Sequence, residues 1–182
     1  MGERAAVEAL GDAEVDMESV DPTRFGCAIS AHIGDSSYLE WTSGRSDIQP
    51  NECWHEQFLP DTTCTWIARR FGLNGPRVSH STACASSLIS VVSAARAIRD
   101  NQCDIAIAGG ADAIHPLMLA GFNRMRVLAT DSDPQRACRP FDRSRKGFVF
   151  GEGAAVFVLE RLGHALRRGA RIYAEVTAAK AL

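Results

Sequence analysis

The sequence predicts an α/β fold, with helices packed on both faces of a mainly parallel sheet. Three observations predict it. Strand-like and helix-like stretches alternate along the chain. The runs FGCAIS (25–30) and CDIAIAGGAD (103–112) are almost continuously apolar, as in strands covered on both faces. The stretch CASSLISVVSAARAIRDNQ (84–102) reads as a long helix whose apolar positions (Leu88, Ile89, Val91, Val92, Ala94, Ala95, Ile98) fall on nearly every face. A helix apolar all round is expected inside a larger structure.

The elements follow in order. Residues 3–10 read as the end of a helix stopped by Gly11. FGCAIS follows Asp-Pro as a buried strand. Gly34 to Asn51 is rich in Ser, Gly and Asp and reads as loop. Pro60 precedes TTCTWIARRF, a helix closed by Gly72 and the Asn74-Gly75-Pro76 turn. RVSHSTA (77–83) alternates and reads as a strand leading into the helix at 84. CDIAIAGGAD is the next strand, and a helix is expected after Pro116, then loop over 128–134. GFVFGEGAAVFVLERL (147–162) holds a strand with a glycine-rich entrance, HALRRGA is a short helix, and RIYAEVTA (171–178) begins another strand. With no strand before its first helix and a fresh strand at its end, the chain is expected to be incomplete.

Composition narrows the function. Of 182 residues, 46% are hydrophobic and 23% charged, with a formal net charge of −2. That is the globular range, without the basic footprint of a dedicated nucleic-acid binder. No apolar run reaches the roughly 18 residues of a membrane span. The acidic N-terminus resembles neither a secretory signal nor a transit peptide. Six cysteines (27, 53, 64, 84, 103, 138) are scattered with no C-x-x-C pair, so reduced thiols in a cytosol are expected rather than a disulfide framework. Cys53, His55 and Cys64 lack zinc spacing, and no cofactor or metal is expected. The G-E-G at 151–153 lacks the third glycine of a dinucleotide fingerprint, with Val156 in its place. These glycines are expected to permit a tight turn or a close backbone approach, and Glu152 to join a buried polar network. Acids crowd residues 1–22, seven against Arg4, and bases crowd 124–146, seven against three aspartates. The second segment is either an ordinary surface loop or a docking surface for an acidic partner.

The stretch that carries chemistry is Val78-Ser79-His80-Ser81-Thr82-Ala83-Cys84-Ala85-Ser86-Ser87. It places a cysteine at the first turn of a helix. Helix-start N–H groups lack internal partners and the helix end is partly positive. Both favour a thiolate at Cys84, and the same N–H groups can hold an oxyanion. Small neighbours leave room for a substrate, and a thiol suits exchange with a thioester. A buried cysteine acting as a small apolar residue fits these residues equally well, and the other five cysteines are assigned that role.

T-A-C-A-S-S-L (82–88) resembles the nucleophile motif of the β-ketoacyl synthases. L-P-D-T-T-C-T-W-I-A-R-R-F-G-L-N-G-P (59–76), C-D-I-A-I-A-G-G-A-D (103–112), G-F-N-R-M-R-V-L-A-T (121–130) and R-P-F-D-R-S-R-K-G-F-V-F-G-E-G-A-A-V-F-V-L-E (139–160) resemble the family in the same order. The likeness is strong over 59–179 and weaker over 1–58. Lys146 stands where the family usually has an acid, and Asp61 where it usually has Asn.

The resemblance implies a thiolase-like fold, of which 1–182 is mainly the N-terminal half of a five-layered αβαβα architecture, without its first strand or its C-terminal half. It implies that Cys84 accepts an acyl chain as a thioester, with its N–H as half of the oxyanion hole. Malonyl carrier protein then loses CO₂ and extends the chain by two carbons, in fatty acid or polyketide biosynthesis. The family's catalytic histidines and lysine lie in H-G-T and G-H-type motifs of its second half; no H-G-T occurs in 1–182 and Gly163-His164 belongs to a helix of the H-A-x-x-R-G-A type, so the chain is expected to react at Cys84 without completing the condensation. None of His32, His55, His80, His115 and His164 is expected to replace them. His80 is expected to bond locally and His164 to be structural. The family also implies a homodimer whose nucleophile strands, here Arg77–Ala83, pair across the two-fold axis. It implies an acyl carrier protein docked on a basic rim that includes Arg126 and, close by, Arg124. A non-catalytic chain-length-factor partner and a coenzyme-A-dependent thiolase are the competing readings. The first usually lacks the cysteine, and the second usually has a different nucleophile context.

Overall fold

The computed structural model describes residues 1–32, 34, 37–50 and 52–178. In chain order these form α1 (Gly2–Asp12), β1 (Phe25–Ser30), α2 (Ser37–Thr42), α3 (Trp54–Phe58), α4 (Thr62–Phe71), β2 (Arg77–Val78), α5 (Ser86–Arg99), β3 (Ile105–Asp112), α6 (Pro116–Arg124), α7 (Pro134–Ala137), β4 (Gly153–Glu160) and α8 (Leu162–Arg167). Two compact units emerge, residues 1–112 with 154–178, and residues 113–153.

The larger unit holds a four-stranded sheet of order β2-β1-β3-β4. β1 runs parallel to β2, with Cys27 opposite Arg77, and parallel to β3, with Phe25 opposite Ile105 and Ser30 opposite Gly110. The apolar strands are explained by their two faces, since side chains alternate across a strand. Phe25, Cys27, Ile29, Ile105 and Ile107 pack with Ala6 and Leu10 of α1 and Ile67 and Ala68 of α4. Ala28, Ala106 and Ala108 face the other way, against Val91, Ala94 and Ile98 of α5. The sheet is therefore the middle of three layers, as the composition of its strands predicts.

α4 ends as its sequence predicts. Gly72 adopts the left-handed conformation (φ 67°), and the Leu73 N–H returns to Ala68 O at 2.9 Å, closing the helix by the usual glycine stop. The residues just before β1 and β3 are tied together, Arg24 donating to both Asp104 oxygens at 2.8 and 2.9 Å. The same guanidinium donates to Asn101 O at 2.8 Å. Its hydrogen bond holds the Asp104 carboxyl below the usual carboxylate range.

Three expectations are corrected. The strand expected over 77–83 stops after Val78. Part of the loop expected over 34–51 is helix α2, where Tyr38 stacks on Trp54 with ring centroids 3.6 Å apart; residues 35, 36 and 51 of that segment lie outside the described residues. The strand expected over 171–178 does not form. Its backbone joins no ladder, and Tyr173 instead donates its hydroxyl to Asp12 at 3.0 Å. Within this chain α5 buries Ser90, Val92 and Ala94 and leaves Leu88 68% exposed.

The smaller unit is organised by aromatic packing. Phe122 of α6 meets Phe148 and Phe150 at centroid distances of 5.3 and 5.2 Å. A parallel bridge joins Leu128 to Phe148. Proline opens both of its helices, and each is capped from the preceding residue, α6 by His115 Nδ1 accepting from Leu117 N–H and α7 by Asp133 accepting from Gln135 N–H.

Candidate active site

The segment that carries Cys84 leaves the sheet at Ser79 and is held by side chains rather than by a strand ladder. His80 N–H donates to Ser30 Oγ at 2.9 Å, which lies 2.6 Å from Ser90 Oγ. Both serines are fully buried. His80 Nε2 lies 2.7 Å from Ser93 Oγ. A hydroxyl of β1 has thus taken the backbone donor that would extend β2, the familiar competition of serine side chains with secondary structure. His80 bonds locally, as expected.

Cys84 lies in a one-turn 3₁₀ helix, Ala83–Ala85, just ahead of α5. It is exposed. This corrects the expectation that it sits within the first turn of the long helix, which begins two residues later at Ser86. Ala83 has φ +50°, a left-handed conformation that costs a residue with a Cβ roughly 1–2 kcal/mol. Such strain survives only where neighbours hold it. Here Ser86, 4% exposed, accepts from Thr82 N–H at 2.8 Å and donates to Ala83 O at 2.7 Å. On the other side, Gly110 at the end of β3 leaves space for the start of α5. A Cβ there would stand 1.8 Å from Ser87 Oγ and 3.0 Å from Ser30 O.

The remaining cysteines divide cleanly. Cys27, Cys64 and Cys103 are buried, as expected, whereas Cys53 and Cys138 are exposed, which corrects the buried apolar role expected of those two. Cys64 Sγ donates to Cys27 Sγ at 3.5 Å. That bond, together with burial, pushes the Cys27 thiol up, and burial pushes the Cys103 thiol up. Both are held as inert thiols.

The histidines are scattered. His32 Nδ1 lies 2.8 Å from Asp112 Oδ2, and its N–H donates to Asp112 Oδ1 at 2.8 Å, across the ends of β1 and β3. Nothing in the local sequence signals this pair, because its members are 80 residues apart. His55 meets Trp54 edge-on, and His115 caps α6. His164 is bonded to Glu160, which also takes two bonds from Arg168 at 2.8 and 2.7 Å. This is the structural role expected of it. Burial raises the Glu160 carboxyl, but the Arg168 and His164 bonds outweigh it and hold it below its ordinary value. Among the described residues, no three His, Cys, Asp or Glu side chains gather as metal ligands.

In the smaller unit, Arg124 closes α6 and Arg126 follows it with φ +58°. Both are exposed. An open cavity of about 930 Å³ is lined by Val127 and Phe148 together with Arg139, Arg143 and Arg145. Part of this positive charge is already engaged, since Arg139 pairs with Asp131 and Arg145 donates to Asp142 O at 2.9 Å. The expectations for the G-E-G run need correction. Glu152 is exposed rather than buried, accepting from Ile114 N–H at 3.2 Å. A Cβ on Gly151 or Gly153 would meet nothing within 4 Å. The close backbone approach occurs at Gly109, whose Cβ would stand 2.0 Å from Ala155 O.

A profile of the β-ketoacyl synthase N-terminal domain matches residues 1–165. The chain belongs to the β-ketoacyl synthase family. Its relatives include the tetracenomycin polyketide synthase ketoacyl synthase alpha subunit of Streptomyces glaucescens, 40% identical over 94% of this chain and 43% of that protein. The 3-oxoacyl-[acyl-carrier-protein] synthase 2 of Vibrio cholerae is 38% identical over 96% of this chain and 44% of its own length. Among solved structures, a β-ketoacyl synthase from Burkholderia phymatum superposes with a TM-score of 0.82, at 32% identity, over 92% of this chain and 43% of its own. A type II polyketide ketosynthase, solved in complex with its acyl-carrier protein and bound to the hexaketide, gives 0.84 at 31% identity, over 93% of this chain and 44% of its own. The thiolase-like fold class read from the motifs is that of these ketosynthases. The chain spans less than half the length of these β-ketoacyl synthases. No helix among its described residues is long and apolar enough to cross a membrane.

Proposed function

We propose that the chain carries the acyl-accepting part of a 3-oxoacyl-[acyl-carrier-protein] synthase, with Cys84 as its nucleophile. The observation that carries this reading is the exposed Cys84 on a strained, side-chain-braced turn at the start of α5. The chemistry is thioester exchange. The Cys84 thiolate attacks the acyl carbonyl, the new C–S bond forms, and the carrier thiol leaves with a proton. The negative oxygen formed on the way is held by backbone N–H groups at the turn, including that of Cys84. In the condensation, malonyl carrier protein loses CO₂. Its carbanion attacks the Cys84 thioester, a C–C bond forms, and Cys84 leaves as the thiolate. The step assigned to the residues of this chain is the acylation of Cys84.

The acyl donor is an acidic carrier protein that meets the basic surface at Arg124 and Arg126. The protein works in the cytoplasm as a homodimer paired along Arg77–Ala83, whose two-residue strand β2 forms an edge of the sheet. The test is intact-mass analysis after incubation with an acyl-loaded carrier protein. One acyl group on the peptide containing Cys84, absent from Cys84→Ala, is the expected result. An unmodified Cys84, or acyl groups spread over Cys53 and Cys138, would overturn the assignment.

A further inference from the structure

Ser86 lies two residues beyond Cys84, and its hydroxyl does an unusual thing for a serine at a helix start. An N-cap serine bonds forward, to N–H groups of the first turn. Ser86 is instead the first residue of α5, and its predecessor Ala85 has no side-chain cap. Its Oγ reaches backward, past Cys84. It accepts from Thr82 N–H at 2.8 Å and donates to Ala83 O at 2.7 Å. That carbonyl also accepts from Ser86 N–H. The two residues before Cys84 are thereby tied to the residue two after it. One of them, Ala83, has φ +50°, a conformation an alanine leaves unless it is held.

From this geometry we infer that Ser86 is a positioning residue for the acyl-transfer reaction, holding the Cys84 turn in the conformation that presents the thiol. The inference rests on the reading of Cys84 as nucleophile. The bonds of Ser86 are to Thr82 and Ala83, and it acts through them. Its oxygen is both acceptor and donor, so the site requires a hydroxyl. Threonine can supply one and alanine cannot. A glycine at 83 would adopt positive φ without being held, and would make the brace less necessary.

The experiment measures the rate of acyl transfer to Cys84 from acyl-loaded carrier protein, in the full chain carrying Cys53→Ser and Cys138→Ser. It compares wild-type Ser86 with S86A, S86T and the double variant A83G/S86A. Alkylation of the buried Cys27, Cys64 and Cys103 by iodoacetamide is followed in parallel. S86A is expected to slow transfer about tenfold, the usual cost of one lost bond to a buried polar group, without opening the buried thiols. S86T is expected to fall within about threefold of Ser86, and A83G/S86A to recover part of the loss. Equal rates for Ser86 and S86A would overturn the inference. So would S86T as slow as S86A, or a loss in S86A matched by exposure of the three buried thiols, since that is general loosening. If S86A does not fold, S86T and A83G/S86A decide it by the same rates. A wild-type chain that takes no acyl group on Cys84 would overturn the nucleophile assignment itself, and with it any positioning role toward it.

Discussion

Gly110 and Ser87 approach so closely that a methyl group on the glycine would stand 1.8 Å from the serine Oγ. The end of β3 and the start of α5 can meet this way only because one of them lacks a side chain. Gly110→Ala is expected to destabilise the protein by roughly 1–3 kcal/mol, the cost of an overpacked core, and to slow acylation of Cys84. Adding Ser87→Ala removes the closest atom but leaves a Cβ contact of 2.7 Å, so it should restore only part of the loss. Thermal unfolding and the acylation rate, measured on both variants, check this.

The cysteines predict a labelling pattern. Native protein treated with iodoacetamide should modify Cys53, Cys84 and Cys138, which are exposed, and spare Cys27, Cys64 and Cys103, which are buried. Unfolding should release the last three. Peptide mapping would count against the structure if Cys64 labelled at the rate of Cys138.

Glu160 predicts an acid response. Its carboxyl is held below the ordinary value of 4.5 by Arg168 and His164, which outweigh its burial. A depressed folded value means that the ionised group contributes stability above about pH 4.5 and loses it as pH falls through the folded value. Glu160→Gln should therefore cost roughly 1–3 kcal/mol near neutrality, and the gap to wild type should close progressively below pH 4.5. Unfolding midpoints for both proteins between pH 3 and 7 test the sign. A gap that widens in acid would contradict it.

Arg126 predicts a split between two reactions. Arg126→Glu should slow acyl transfer from carrier protein about tenfold or more, as for a close charge contact reversed at a protein interface. Iodoacetamide should still react with Cys84 at the wild-type rate. Equal loss in both reactions would refute a docking role.

Much of this architecture was readable in the residues. The unbroken apolar run of Phe25–Ser30 meant a strand covered on both faces, and both faces are covered by helices. Gly72 marked the stop of α4, and Pro116 the start of α6. Cys84 stood out by its motif. What the residues could not reveal depends on partners distant in sequence. β2 ends early because Ser30, 50 residues before His80, takes its N–H. His32 finds Asp112 across 80 residues. RIYAEVTA (171–178) reads as a strand, but a strand needs a pairing neighbour that the local residues do not reveal. The role of the Ser86 hydroxyl is not legible in the residues, because its backward bonds depend on the left-handed turn at Ala83.

The Ser86 hydroxyl has one more consequence, and it concerns timing. A hydroxyl that accepts from Thr82 and donates to Ala83 has a single orientation for its hydrogen, and it leaves the five residues from Thr82 to Ser86 little conformational freedom. The entropy of that loop is therefore lost when the chain folds, before any acyl donor arrives. Loops that order only on binding subtract from the affinity of whatever orders them. Under the proposed function, a donor would meet a thiol whose surroundings are already arranged, and its contacts could go into the approach of carbonyl to sulfur.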